Sequence, residues 1–386
     1  MLEKSFTVLS ITMFSAMIGI GIISPIMPIF AEKFGANGIM LGLIFSGYTI
    51  SRTIMTPIFT RASDRYNRTS FIYTGLLAYS IFSLLYIPAN SILSVFLVRL
   101  AHGVASAMVT PIAIAFIADL APKNKEGEYM GTFNISLFAG FGIGPFIGGV
   151  LTDFGGLSSS FFGMFGLSMF ALILSLLYLK KDKPKSIAGP TQRNSISLLT
   201  ILRNKVMKAL FIYRTVRAFG TAGILAFLPI LGESMNISIF STGLVLSSNL
   251  ILGALLQRFG GKLADRYNKR IMMVVGSLLI SLALLLMPNS GSFAGLLLLN
   301  MIMGIGSAIS MPAATAVVVE QGRTFGMGST IGLFSTAMGL GMVLSPTASG
   351  IIMDLINISF VFYISGIVSI IGTIVFIYLS HNMNLS

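Results

Sequence analysis

Apolar runs of roughly 20 residues, separated by polar breaks, follow one another along the whole of this chain. Each is long enough to cross a bilayer as a helix. Twelve stand out, at about 6–30, 39–61, 70–88, 91–117, 127–151, 158–179, 207–231, 238–260, 270–288, 292–319, 325–352 and 357–380. Most breaks are short, such as Pro88-Ala89-Asn90 and Pro288-Asn289-Ser290, and one is long and basic, from Lys180 to Lys208. The pattern predicts an all-α polytopic membrane protein with twelve transmembrane helices. The first run, about Phe6 to Phe30, is too long for the apolar core of a signal peptide and reads as a retained span.

The second half repeats the first. Thr60-Arg61-Ala62-Ser63-Asp64-Arg65-Tyr66-Asn67-Arg68-Thr69 returns as Gly261-Lys262-Leu263-Ala264-Asp265-Arg266-Tyr267-Asn268-Lys269-Arg270, an offset of 201 residues. The same offset carries Pro28 onto Pro229, Gly103 onto Gly304, Pro111 onto Pro312, Asp119 onto Glu320, Pro145 onto Pro346 and Asp153 onto Asp354. A single offset serving so many Gly, Pro and acidic positions marks a duplicated half. The expected layout is two pseudo-symmetric six-helix bundles, residues 1–180 and 207–386, joined by a basic linker at 181–206.

Composition agrees with the hydropathy pattern. The 386 residues are 55% hydrophobic and only 10% charged, against about 25% charged in a soluble chain. No cysteine is present, which removes disulfide and thiolate chemistry. A net charge of +13 raises the possibility of nucleic acid, but the placement of the charge argues against it. Of 25 Lys and Arg, Lys33 alone falls in a loop assigned to the outside, and Arg52, Arg99, Arg214 and Arg217 fall within apolar runs. The rest sit in or beside segments that alternate to one side. That positive-inside bias predicts a multi-pass protein of the cell membrane with both termini in the cytoplasm. The basic linker is expected to lie near anionic lipid headgroups.

The two repeated loops resemble the signature G-x-L-A-D-R-x-G-R-K of the Major Facilitator Superfamily. The second copy matches it at Gly261, Leu263, Ala264, Asp265, Arg266 and Lys269, while Thr60, Ala62 and Thr69 depart from it in the first. Asn67 and Asn268 stand where the signature has its second Gly; Asn tolerates left-handed angles, so a tight turn is expected there. Thr60 in place of Gly speaks against close helix approach at that point. Gly140-Phe141-Gly142-Ile143-Gly144-Pro145-Phe146-Ile147-Gly148-Gly149 is similar, at every fixed position, to the span-5 signature of the drug/proton antiporter branch. Its repeat copy keeps only Gly341, Pro346 and Gly350, with Ser345 and Ser349 between. Small residues at every fourth position allow close helix packing, and Pro145 permits a bend. Arg99-Leu100-Ala101-His102-Gly103 resembles R-x-x-Q-G with His for Gln. The resemblance implies a cytoplasmic charge gate of Asp64, Arg65, Arg68, Asp119, Asp265, Arg266, Lys269 and Glu320, and a role for Arg99 in proton coupling.

Charges at membrane depth are expensive and mark function by default. Arg99 and His102 share a helix face, as do Tyr48 and Arg52, and Arg214 and Arg217 lie beside Tyr213. Their repeat partners are neutral: Arg52 falls on Gly253, Arg99 on Asn300, Arg214 on Met13 and Arg217 on Ala16. All 12 acids lie in loops or at span ends. Arg52, Arg99, His102, Arg214, Arg217 and Tyr48 are therefore the candidates for substrate binding or coupling. Backbone carbonyls or an acid from a span end are expected to compensate Arg52 and Arg214. No nucleophile–base set, metal-ligand cluster or nucleotide loop is apparent, so neither an enzyme nor a cofactor is expected. The chain reads as a monomeric secondary transporter. It would export an amphipathic small molecule by alternating access in exchange for protons. The competing readings are an organic-anion transporter that uses the intramembrane Arg residues and a receptor that does not transport.

Overall fold

The computed structural model describes residues 2–121, 126–179 and 198–380. Among these are thirteen α-helices, one 3-10 turn and no strand. The first six helices are α1 (Leu2–Glu32), α2 (Gly38–Arg65), α3 (Arg68–Leu85), α4 (Ile92–Leu120), α5 (Glu126–Gly155) and α6 (Leu157–Tyr178). A short α7 (Leu198–Arg203) follows. The last six are α8 (Lys205–Ser234), α9 (Ile239–Ala264), α10 (Lys269–Leu286), α11 (Phe293–Phe325), α12 (Met327–Leu355) and α13 (Ile358–Leu379). The twelve long helices are the twelve expected spans.

Eleven of them are long and apolar enough to cross a membrane. The twelfth, α3, is diluted by Arg68 and by three Ser, two Thr and two Tyr, several of which are buried against neighbouring helices. Observed helices overrun the predicted spans at several ends. Glu320, placed at a span end from sequence, lies inside α11, which continues to Phe325. The linker also differs from expectation. Residues 180–197 lie outside the described residues, but Leu198–Arg203 is helical and α8 already begins at Lys205.

Polar side chains set the helix starts. Asn37, Asn67, Asn204, Asn268 and Asn357 cap α2, α3, α8, α10 and α13 by accepting backbone N–H bonds, and Ser91 and Ser292 do the same for α4 and α11. Each satisfies donors that the first turn leaves open. Proline recurs inside helices at Pro28, Pro111 and Pro145, and again at Pro229, Pro312 and Pro346. Spanning helices tolerate such breaks where neighbours re-satisfy the freed carbonyls.

The chain divides into two compact units, one within Met1–Thr191 with Ser238–Ser247, the other within Gln192–Ile237 with Ser248–Ser386. In the first, Leu9, Met13, Ile72, Leu76, Ile112, Phe116, Phe133 and Leu137 form a core shared by α1, α3, α4 and α5. In the second, Leu210, Met273, Ala313, Val317, Phe334 and Phe376 join α8, α10, α11, α12 and α13.

Candidate functional site

In the first unit the interior of α4 is polar. Arg99 is buried, its guanidinium carbon 4.8 Å from the centre of the Tyr48 ring and 5.4 Å from that of Phe45. Its Nε has no hydrogen bond. A guanidinium over aromatic faces is held by the ring quadrupoles. Tyr48 therefore partners Arg99 as well as lying one turn from Arg52, the neighbour that spacing assigned to it. The Tyr48 hydroxyl donates to Ser106 Oγ at 2.9 Å and lies 3.2 Å from the Tyr79 hydroxyl. His102 is fully buried in an aromatic box, with Tyr86 stacked at 5.3 Å, Tyr79 at 5.0 Å and Phe82 edge-on at 5.9 Å. Its Nδ1 lies 3.1 Å from the Tyr86 hydroxyl.

In the second unit Arg217 on α8 donates to Ser307 Oγ on α11 at 2.9 Å. Ser307 is the repeat partner of Ser106, so the same position supplies the acceptor in both units. Arg214 is bound in an unexpected way. Its Nη1 donates to Met311 Sδ at 3.2 Å and its Nη2 to Met338 Sδ at 2.8 Å, with the Phe334 ring 5.0 Å from its guanidinium carbon. Nε is buried without a hydrogen bond. The carbonyls or span-end acid expected to compensate it are not what it finds. Among the described residues no carboxylate pairs with Arg99, Arg214 or Arg217.

The repeated loops hold unequal charge clusters. Arg68, largely buried, forks between Asp64 at 2.7 Å and Asp119 at 2.6 Å. In the second copy Lys269 reaches Glu320 at 3.2 Å, and Asp265 lines a cavity of about 550 Å³ with Lys269, Glu320, Gln257 and Arg323. Arg65 and Arg266 are exposed. Two expectations are corrected here. Asn67 and Asn268 have φ of −161° and −60°, neither left-handed. They stand in place of Gly because their side chains cap the next helix. Among the described residues the one non-glycine residue with positive φ is Asn236. Nor does Thr60 spoil a close approach. Its partner Gly261 faces open space, and it is the preceding Gly260 whose added Cβ would overlap the Ala308 carbonyl.

The α5 glycines seat that helix on α1. A Cβ added at Gly144 would lie 2.5 Å from Gly21 Cα and 2.7 Å from the Ile18 carbonyl oxygen. At Gly140 it would lie 2.9 Å from Met17 Cβ, and at Gly148 2.5 Å from the Ile22 oxygen. Pro145 belongs to the same contact, its Cδ 3.1 Å from a Cβ added at Gly21. Gly149 turns away and faces Phe240 within the same unit. In the second unit Gly341 packs on α8 at Ala218 and Phe219, while the hydroxyls of Ser345 and Ser349 surround Gly223 and have no partner.

The family model of the Major Facilitator Superfamily matches residues 9–216 and 210–383, nearly the whole chain. The chain belongs to the Major Facilitator Superfamily. Within that superfamily it is 35% identical over 97% of its length to an uncharacterized MFS-type transporter of Methanocaldococcus jannaschii, 97% of which is covered. It is 25% identical to the quinolone resistance protein NorA of Staphylococcus aureus, covering 97% of this chain and 96% of that one. A bacterial homologue of the human lysosomal transporter Spinster shares the Major Facilitator fold, with a TM-score of 0.82 at 15% identity over 98% and 97% of the two chains. Sequence reasoning missed Tyr79, Tyr86, Ser106, Ser307, Met311, Phe334 and Met338. Hydroxyls within apolar runs signalled Tyr79, Tyr86, Ser106 and Ser307. The Met and Phe residues carried no signal, since 23 Met and 30 Phe are spread through the chain.

Proposed function

We propose that this Major Facilitator transporter exports an amphipathic small organic molecule by alternating access, driven by protons moving inward. The observation that carries the reading is the complete glycine stripe, which lays α5 on α1 backbone to backbone in the first unit and is broken by serines in the second. That one-sided motif is the one its resemblance ties to drug/proton antiporters, and the likeness to NorA supports the same class. In this reading residues 1–180 and 207–386 are the two moving bundles, and the protein works as a monomer in the plasma membrane with both termini in the cytoplasm. The Asp64, Arg68, Asp119 cluster and the Asp265, Lys269, Glu320 cluster act as cytoplasmic gates.

Purified protein in proteoliposomes tests the coupling. Accumulation of radiolabelled amphiphiles is followed with an imposed pH gradient and again after a protonophore collapses it. Gradient-dependent accumulation is expected. Equal accumulation in both conditions would refute proton exchange.

A further inference from the structure

Arg214 is a cation where the other repeat has none. Its repeat partner in the first unit is Met13, fully buried in the core beside Phe133 and Leu137. The three residues around Arg214 are themselves repeat partners of first-unit residues: Phe334 of Phe133, Met338 of Leu137 and Met311 of Thr110. The first unit therefore fills the same position with an apolar side chain. In the second unit that side chain becomes a guanidinium, and two thioethers and an aromatic face are turned towards it.

Those partners compensate the charge poorly. Thioether sulfur is a weak acceptor, a guanidinium taken out of water is costly unless paired and hydrogen-bonded, and Nε is left without any acceptor. The two terminal nitrogens, the pair with which an Arg fork can grip two oxygens, hold sulfurs at 3.2 and 2.8 Å. An oxyanion is the ligand that fits this fork. The surroundings set the rest of the molecule: the Phe334 ring, 5.0 Å from the guanidinium carbon, offers an aromatic face to an apolar body.

We propose that Arg214 is the recognition point for the carboxylate or sulfonate of an amphipathic organic anion, with Met311 and Met338 holding its guanidinium until the ligand displaces them. This deepens the transporter reading by naming the charge class of its substrate and the residue that selects it.

The test is a binding measurement, without any gradient, so it stands apart from proton coupling. Calorimetric titration of the full-length protein in dodecyl maltoside compares naphthalene-1-sulfonate, neutral 1-naphthalenemethanol and 1-naphthylmethylammonium, each corrected for empty micelles. The sulfonate is expected to bind at least tenfold tighter than the other two. Arg214→Met, which installs the side chain the first unit already uses, should abolish that preference, leave the alcohol unchanged and raise the melting temperature. Met338→Leu, which copies Leu137, removes one placeholder and should leave sulfonate binding as tight or tighter. Three results would overturn the proposal: no preference for the sulfonate in the native protein, an unchanged preference in Arg214→Met, or failure of Arg214→Met to fold, which would make the arginine a packing residue. If pH-driven transport fails while the sulfonate preference holds, the coupling reading falls and the anion site remains.

Discussion

The contact between α1 and α5 allows a sharp test, because two backbones meet there with nothing between them. In Gly144→Ala the new methyl would lie 2.5 Å from Gly21 Cα, 2.7 Å from the Ile18 oxygen and 2.8 Å from the Gly21 carbonyl carbon. Non-bonded carbons prefer about 3.5–4.0 Å, so the helices must part by about 1 Å, and no flexible side chain can yield instead. Overpacking of this kind costs about 1–3 kcal/mol. Replacing a helical Gly with Ala returns about 0.5–1 kcal/mol, which leaves a net loss of roughly 0–2.5 kcal/mol. Gly131 and Gly166 are the controls, since a Cβ at either meets nothing within 4 Å. Alanine at those two positions should leave the melting temperature unchanged or slightly raised, while Gly144→Ala lowers it by a few degrees. Thermal unfolding in detergent, followed by loss of monodisperse protein, measures all three. The larger Gly144→Val should also slow transport while expression stays largely intact. If Gly144→Ala melts as high as Gly131→Ala, the close approach is not what holds these helices.

Asn268 separates two roles for a residue that replaces glycine. As a cap it should cost about 1 kcal/mol when changed to Ala and only a few tenths when changed to Gly, read by hydrogen exchange in the first turn of α10. A stabilising Asn268→Gly would restore the left-handed-turn reading. In the first charge cluster Asp119 is less exposed than Asp64, with side-chain exposures of 28% and 54%. Asp119→Asn should therefore lower the melting temperature more than Asp64→Asn, because it leaves the largely buried Arg68 without its less exposed partner, and the reverse order would refute the argument.

The twelve spans were legible because each is an apolar run bounded by turn and cap residues, and the repeat was legible because Gly, Pro and acidic positions keep one register. The helix ends were less so. Polar helix turns continue past the apolar stretch, as at Glu320 and at Leu198–Arg203, where hydropathy has no means of following them. Asn67 and Asn268 were misread by comparison with a glycine in a signature, when their side-chain oxygens, standing just before a helix, already spelled a cap. The intramembrane arginines were legible as candidate site residues, but their surroundings were not. The partners of Arg214 lie 97 and 124 residues away, and a methionine in an apolar run looks the same whether it faces lipid or a guanidinium. The offset already paired Arg214 with Met13, but only the packing shows what that exchange does.

The glycine stripe also bears on heritable variation. At Gly140, Gly144 and Gly148 every possible substitution adds atoms where a neighbouring helix already sits, so random change at these codons can only subtract from the contact. Ser345 and Ser349, their counterparts at two of the three positions, carry a side chain that can be trimmed to Ala or Gly without adding bulk. Mutations therefore fall unequally on two halves descended from one ancestor. The first is held to its α1–α5 seam, while the second can lose side-chain atoms at Ser345 and Ser349 without a clash.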